Sequence, residues 1–316
     1  MTLGYLLIIL LLAYLSTCMI LFRVAALRPV EVTAEEKLDE WERERDWDVS
    51  LCRDGIAWYR AREKETVTAV SFDGLRLTAD WLTADGPSRG RVLLFHGYHG
   101  GLEDFSASLR HYHELGFDLL IPDQRAHHRS EGRFIGFGVL ERRDCQTWAE
   151  EADRRWGAAP TFLVGVSMGA STVLMASGYE LPEDVRGIVA DCGFTSPKAI
   201  VTNVLHRQLH LPMTPFYPVV NGLFRLLAGY GLSDDSTVTA MTRNRLPVLF
   251  VHGGADGFVP PEMTLQTYNA CRAEKDLLLV SGAGHGRSYL VDMPGYQRKL
   301  DAFLARNGAA CEKTGN

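Results

Sequence analysis

The sequence lacks the cysteine spacing of a disulfide-stapled or zinc-bound protein. Its six cysteines, at 18, 52, 145, 192, 271 and 311, are scattered, with no CxxC pair and no Cys/His arrangement of zinc-ligand spacing. Free, mostly buried thiols in a reducing compartment are the expectation, and no metal site. Basic charge is also scarce. Against 39 Asp and Glu stand 33 Lys and Arg, a net charge of −6 with no basic stripe, so nothing favours binding to nucleic acid. Internal repeats and low-complexity tracts are missing, which excludes solenoids and disordered tails. What remains is an ordinary globular composition: 316 residues, 46% hydrophobic, enough for one large core or two small ones.

Charge is missing altogether from residues 3–22, LGYLLIILLLAYLSTCMILF. Twenty residues at about 1.5 Å each match the roughly 30 Å hydrocarbon thickness of a bilayer. A signal peptide calls for a basic n-region, a shorter apolar run and a small-x-small cleavage site, and none is present. Leu15-Ser16-Thr17-Cys18 has some likeness to a lipoprotein cleavage box, but the apolar run continues through it. Residues 1–28 are therefore expected to form a single-pass membrane anchor rather than a buried core helix. Arg23 and Arg28 follow the span and no Lys or Arg precedes it, so the positive-inside rule puts the following domain on the cytoplasmic side. Residues 29–66 read as a juxtamembrane linker. Its stretch 31–48 is rich in Glu, Asp and Arg, with Trp41 and Trp47 interleaved, and suggests a solvated, partly docked polar helix, or a partner-binding one.

From residue 67 to 316 the pattern is that of one α/β domain. Runs 67–72 and 75–82 flank Asp73-Gly74, a two-residue hairpin signal. Short, wholly apolar runs then recur at 92–95, 117–121, 162–166, 187–190, 248–251 and 277–280, as expected of strands buried on both faces of a parallel sheet. Helix-length segments such as 138–155 and 167–177 separate most of them, which implies right-handed crossovers and a sheet covered on both sides. One connection, about 193–245, is too long for a simple crossover. It contains Pro212, Pro215, Pro218 and an apolar stretch at 219–227, and reads as a small helical cap.

Gly165-Val166-Ser167-Met168-Gly169 lies between an apolar strand and a helix, the context of a nucleophile elbow. Serine needs a base to act as a nucleophile. Of ten histidines, His285, in the glycine-rich loop 282–286 after the last strand, is the best placed. The base needs an orienting acid. Asp256, in a loop after the preceding strand, completes the order Ser…Asp…His, with Asp191 as the alternative acid. An oxyanion calls for backbone donors. The Met168 N–H at the helix start is one. Tyr98, in His96-Gly97-Tyr98-His99-Gly100-Gly101 after the 92–95 strand, supplies the other.

These motifs, with Pro122-Asp123-Gln124-Arg125-Ala126-His127, Ser130-Glu131-Gly132, Ile135-Gly136-Phe137-Gly138, Asp191-Cys192 and His252 to Pro260, resemble the α/β-hydrolase superfamily. Within it the likeness is to bacterial single-span hydrolases of the YqkD-like kind, near the serine aminopeptidases. The resemblance implies an eight-stranded, mostly parallel sheet, a triad of Ser167, His285 and Asp256, and no cofactor. It departs from the family at His128, where relatives usually carry glycine. If that position has positive φ, the side chain costs about 1 kcal/mol or more. It departs again at Gly254, where many relatives are acidic. The expected activity is cleavage of a small or medium acyl ester through an acyl-enzyme. A peptidase or amidase, an acyltransferase on the same triad, and a non-catalytic membrane-tethered binding scaffold remain as alternatives.

Overall fold

The computed structural model describes residues 2–45 and 48–308; Trp47 and Cys311 lie outside them. A helix α1 (Thr2–Ala26) leads into α2 (Ala34–Arg45) and α3 (Ser50–Arg60), and then the sheet begins. Strands β1 (Glu65–Val70) and β2 (Arg76–Leu82) form an antiparallel hairpin whose turn uses Gly74 at φ +87°. Next come β3 (Arg91–Phe95), α4 (Ser106–Glu114), β4 (Asp118–Asp123), α5 (Glu141–Trp156), β5 (Thr161–Val166), α6 (Met168–Ala176) and β6 (Val185–Asp191). A helical insertion follows: α7 (Pro197–Arg207), α8 (Met213–Leu223), a π turn (Phe224–Ala228) and α9 (Thr237–Arg243). The chain closes with β7 (Val248–Gly253), α10 (Pro261–Ala270), β8 (Lys275–Val280), α11 (Ser288–Val291) and α12 (Met293–Gly308).

The eight strands form one sheet in the order β1-β2-β4-β3-β5-β6-β7-β8, antiparallel at β1, β2 and β4 and parallel from there on. The all-apolar strand sequences have their cause here. In β3 alternate side chains face opposite ways: Leu93 and Phe95 join one core with Trp148 of α5 and Val173 of α6, while Val92 and Leu94 join another with Tyr112 of α4 and Phe303 of α12. Both faces are dry, so neither set tolerates a polar residue. The described cysteines, Cys18, Cys52, Cys145, Cys192 and Cys271, are free and buried.

A third apolar cluster joins parts far apart in sequence. Cys18, Phe22 and Ala26 of α1 pack with Met168, Ile135, Phe137, Val220 of α8 and Phe224 of the π turn. The Phe22 and Phe224 rings meet edge to face at 5.0 Å, and the Tyr14 hydroxyl donates to Pro215 O at 2.8 Å. The second half of α1 is thus part of the folded domain, whereas every large apolar residue from Leu3 to Leu12 is more than half exposed.

Candidate active site

The parallel strands β5, β7 and β8 end on the same side of the sheet, and each is followed there by one member of the expected triad. Ser167 sits between β5 and α6 at φ +56° and ψ −115°. Positive φ strains a side-chain-bearing residue, and the surrounding backbone enforces it. Its neighbours must be glycine. A Cβ on Gly165 would lie 2.3 Å from the Gly169 carbonyl carbon, and one on Gly169 would lie 1.7 Å from Phe95 O. The Ser167 N–H donates to Asp191 O at 2.8 Å, which fixes the turn to β6.

His285 follows β8. Its Nε2 lies 2.9 Å from Ser167 Oγ, and its Nδ1 lies 2.7 Å from Asp256 Oδ2. Asp256 is fully enclosed, and its other oxygen accepts the Phe258 and Val259 N–H groups, each at 2.9 Å. His252 Nε2 approaches Oδ2 at 3.2 Å. Burial by itself raises the Asp256 carboxyl, but hydrogen bonds from His252 and His285, the His285 charge and the Val259 N–H outweigh it and hold the carboxyl well below its usual range. An ionised carboxylate aimed at Nδ1 leaves Nε2 free to accept a proton from serine. Asp191 also ends a strand but takes no part in this chain. It accepts from Ser288 Oγ at 3.2 Å, and burial pushes its carboxyl up to about 6.

Met168 follows Ser167 at the start of α6, Tyr98 lines the same cavity as the serine, and neither N–H donates a hydrogen bond among the described residues. Gly97 makes this close approach possible, because a Cβ there would stand 3.3 Å from the Ser167 Cβ. Its N–H donates to Asp104 Oδ2 at 2.6 Å. Burial, then the nearby Glu103, push the Asp104 carboxyl up to about 6. The same loop is held from two further sides. The Tyr98 hydroxyl reaches Val24 O and Ala25 O at the end of α1, both at 3.0 Å. Lys37 of α2 donates to His99 O and pairs with the buried Glu103 at 3.1 Å.

A cavity of about 820 Å³ opens over Ser167 and His285. Phe258 forms one wall, its ring 5.0 Å from that of His285. Opposite lie Val30, Val32, Lys37 and Trp41, from the segment expected to be a linker, and Gln208 of the insertion stands on the rim. His99 also lines it. Burial and then Lys37 push its imidazole down to about 4, so it is neutral at pH 7, and its Nε2 has no hydrogen-bond partner among the described residues. Asp104 and Lys37 belong to no motif, and His99, though inside the 96–101 loop motif, has no role that the motif assigns. His128 does have positive φ, +41°, as its glycine counterparts imply. Its ring reaches Gly100 O at 3.0 Å and lines a second cavity beside Glu31 and Thr33, away from Ser167. Cys192, Asp256 and His285 place ligand-type atoms within 4.8 Å of one another. Burial pushes the Cys192 thiol well up, so it stays protonated, and the other two are already bonded to each other.

Comparison with known proteins agrees with this architecture. Residues 86–219 match the family described as "Serine aminopeptidase, S33". The uncharacterized protein YqkD of Bacillus subtilis is 27% identical over 210 residues, 65% of this chain and 69% of YqkD. The Pyrococcus furiosus esterase Pf2001 superposes with a TM-score of 0.66 at 19% identity, covering 90% of this chain and 99% of the esterase. An acylaminoacyl peptidase of Pyrococcus horikoshii superposes with a TM-score of 0.60 at 14% identity, over 82% of this chain and 44% of the peptidase.

Proposed function

The chain belongs to the α/β-hydrolase superfamily, and from that premise we propose that it is a serine hydrolase cleaving a carboxylic ester through an acyl-enzyme. The observation that carries this reading is the continuous hydrogen-bond chain Ser167 Oγ–His285 Nε2 and His285 Nδ1–Asp256 Oδ2, at 2.9 and 2.7 Å. Ser167 Oγ attacks the acyl carbon as His285 Nε2 takes its proton. The carbonyl oxygen becomes an oxyanion between the Tyr98 and Met168 N–H groups. His285 returns the proton to the departing alcohol, then activates a water that hydrolyses the acyl-enzyme. Asp256 stays ionised and holds the imidazolium. Phe258, Val30 and Val32 suit an acyl chain better than a charged peptide, which favours the ester over the amide.

The reading includes membrane attachment. One helix, residues 3–26, is long and apolar enough to cross a bilayer, with a mean hydropathy of 2.5. Removal as a signal sequence would strip Cys18, Phe22 and Ala26 from the core, so a retained anchor fits the packing better. Arg23 and Arg28 at its end favour a cytoplasmic catalytic domain.

The full chain in detergent, treated with a fluorophosphonate probe beside Ser167→Ala and His285→Ala, tests the chemistry. Labelling of the wild type that vanishes in both variants is the expected result. A folded wild type that takes no label would refute the serine-hydrolase reading and leave the binding scaffold.

A further inference from the structure

The free part of α1 is too short to cross a membrane. Residues 3–13 rise about 17 Å, while the hydrocarbon layer is about 30 Å thick and needs about 20 residues. The uncharged run extends to Phe22, and the residues that complete the span are the ones packed on the insertion. Tyr14 meets Pro215 and Phe216, and Phe22 meets Phe224, so α8 and the π turn run alongside α1 in the same direction. Whatever depth α1 reaches, this segment reaches with it.

The outer surface of the segment suits that position. Leu209, Pro212, Pro215, Pro218, Leu226 and Leu227 are exposed. Leu226 is 79% exposed, an unusual state for leucine in water. Between 209 and 227 the only ionisable side chains are His210, two residues from the cavity-lining Gln208; Tyr217, whose hydroxyl bonds Ser233 Oγ at 2.8 Å; and Arg225. Arg225 stands next to Phe224, level with Arg23 just past the end of the uncharged run, and pairs with Asp234. Two arginines at one height, with apolar surface on the side toward Tyr14, mark a membrane boundary. Val30 and Gln208 on the cavity rim lie within a few residues of Ala26 and Leu209, so the catalytic cavity opens beside this boundary.

We propose that residues 209–227 form a second membrane-seated element, in contact with the acyl chains of the leaflet, and that the cavity draws its substrate from the bilayer. The first half of this proposal is independent of catalysis; the second rests on the serine-hydrolase reading.

The test uses full-length protein in phosphatidylcholine vesicles, with nitroxide labels on Leu209→Cys, Leu226→Cys, Ile9→Cys and, as a surface reference on β1, Val70→Cys. Relaxation by oxygen, which concentrates in lipid, is compared with relaxation by a water-soluble nickel chelate. Labels at 9, 209 and 226 are expected to favour oxygen, and the label at 70 to favour nickel. If 209 and 226 behave like 70 while 9 reports lipid, α1 inserts without the cap and the proposal is overturned. If 9 also reports water, it falls together with the anchor. Leu226→Asp/Leu227→Asp addresses the second half. At least a tenfold loss is expected on a long-chain ester embedded in vesicles, with a short soluble ester cleaved at the wild-type rate. Equal rates on both esters would overturn delivery from the bilayer. A wild type inert on the soluble ester would instead refute the hydrolase reading.

Discussion

The cavity over Ser167 has two walls of different origin. One is made of strand ends. Ser167, Asp256 and His285 leave β5, β7 and β8 on short glycine-bearing loops, and each has its hydrogen bonds within that edge of the sheet. The other comes from the first 41 residues, Val30, Val32, Lys37 and Trp41, with Lys37 paired to Glu103 and Trp41 packed against a small apolar cluster of α2 and α3. On the proposed reading the first wall carries the reaction and the second presents a surface to the substrate, so chemistry and selectivity would come from separate parts of the chain and be damaged separately.

The largest effect should follow from breaking the first wall. Asp256→Asn keeps the shape but presents the wrong hydrogen-bonding partner to His285, and kcat for ester hydrolysis should fall about 10³–10⁴-fold. Asp191→Asn, at the neighbouring strand end but bonded to Ser288, should leave the rate near wild type. Comparable losses in both would contradict the assignment of Asp256 as the orienting acid. The second wall should fail in stability first. Phe22→Ala opens a void beside Phe224 and Phe134 and should cost about 3–5 kcal/mol in denaturant unfolding. An unchanged midpoint would mean that the docked half of α1 is not part of the cooperative unit.

Lys37→Met sharpens the comparison further. It leaves Glu103 buried without its cation and loosens the 97–101 loop, at about 1–3 kcal/mol. KM should rise several-fold with a smaller change in kcat. The reverse pattern would place Lys37 with the chemistry. The smallest effect concerns His99, held neutral with its imidazole down at about 4. The unfolded chain takes up a proton there below about 6.5, whereas the native one does not until about 4. Wild-type stability relative to His99→Gln should therefore fall as pH drops through that window and level off below it. Buried Asp104, Asp144 and Asp191, raised to about 6, work in the opposite direction, but they are common to both proteins and cancel in the difference. A difference that does not change with pH would show His99 to be solvated.

Legibility in the sequence follows the same division. Apolar strand runs and the glycines around Ser167 report local constraints, two dry faces and backbone contacts too close for a Cβ, so both could be read from neighbouring residues. The second wall leaves no such trace. An apolar helix has the same composition whether lipid or protein covers it, so the docking of Cys18 and Phe22 cannot be told from the exposure of Leu6 and Ile9. Lys37 and Trp41 sit in a charged helix like many solvated ones, and the partners of Lys37, His99 and Glu103, lie more than sixty residues away.

The contact between Tyr14 and Pro215 joins residues 201 positions apart. At a synthesis rate of about 5–20 residues per second, α1 leaves the ribosome about 10–40 s before its partner exists. In that interval Cys18, Phe22 and Ala26 lack their partners Val220 and Phe224. With α1 seated in a bilayer as proposed above, insertion precedes folding, and lipid acts as a holding chaperone for a surface that later joins the folded core.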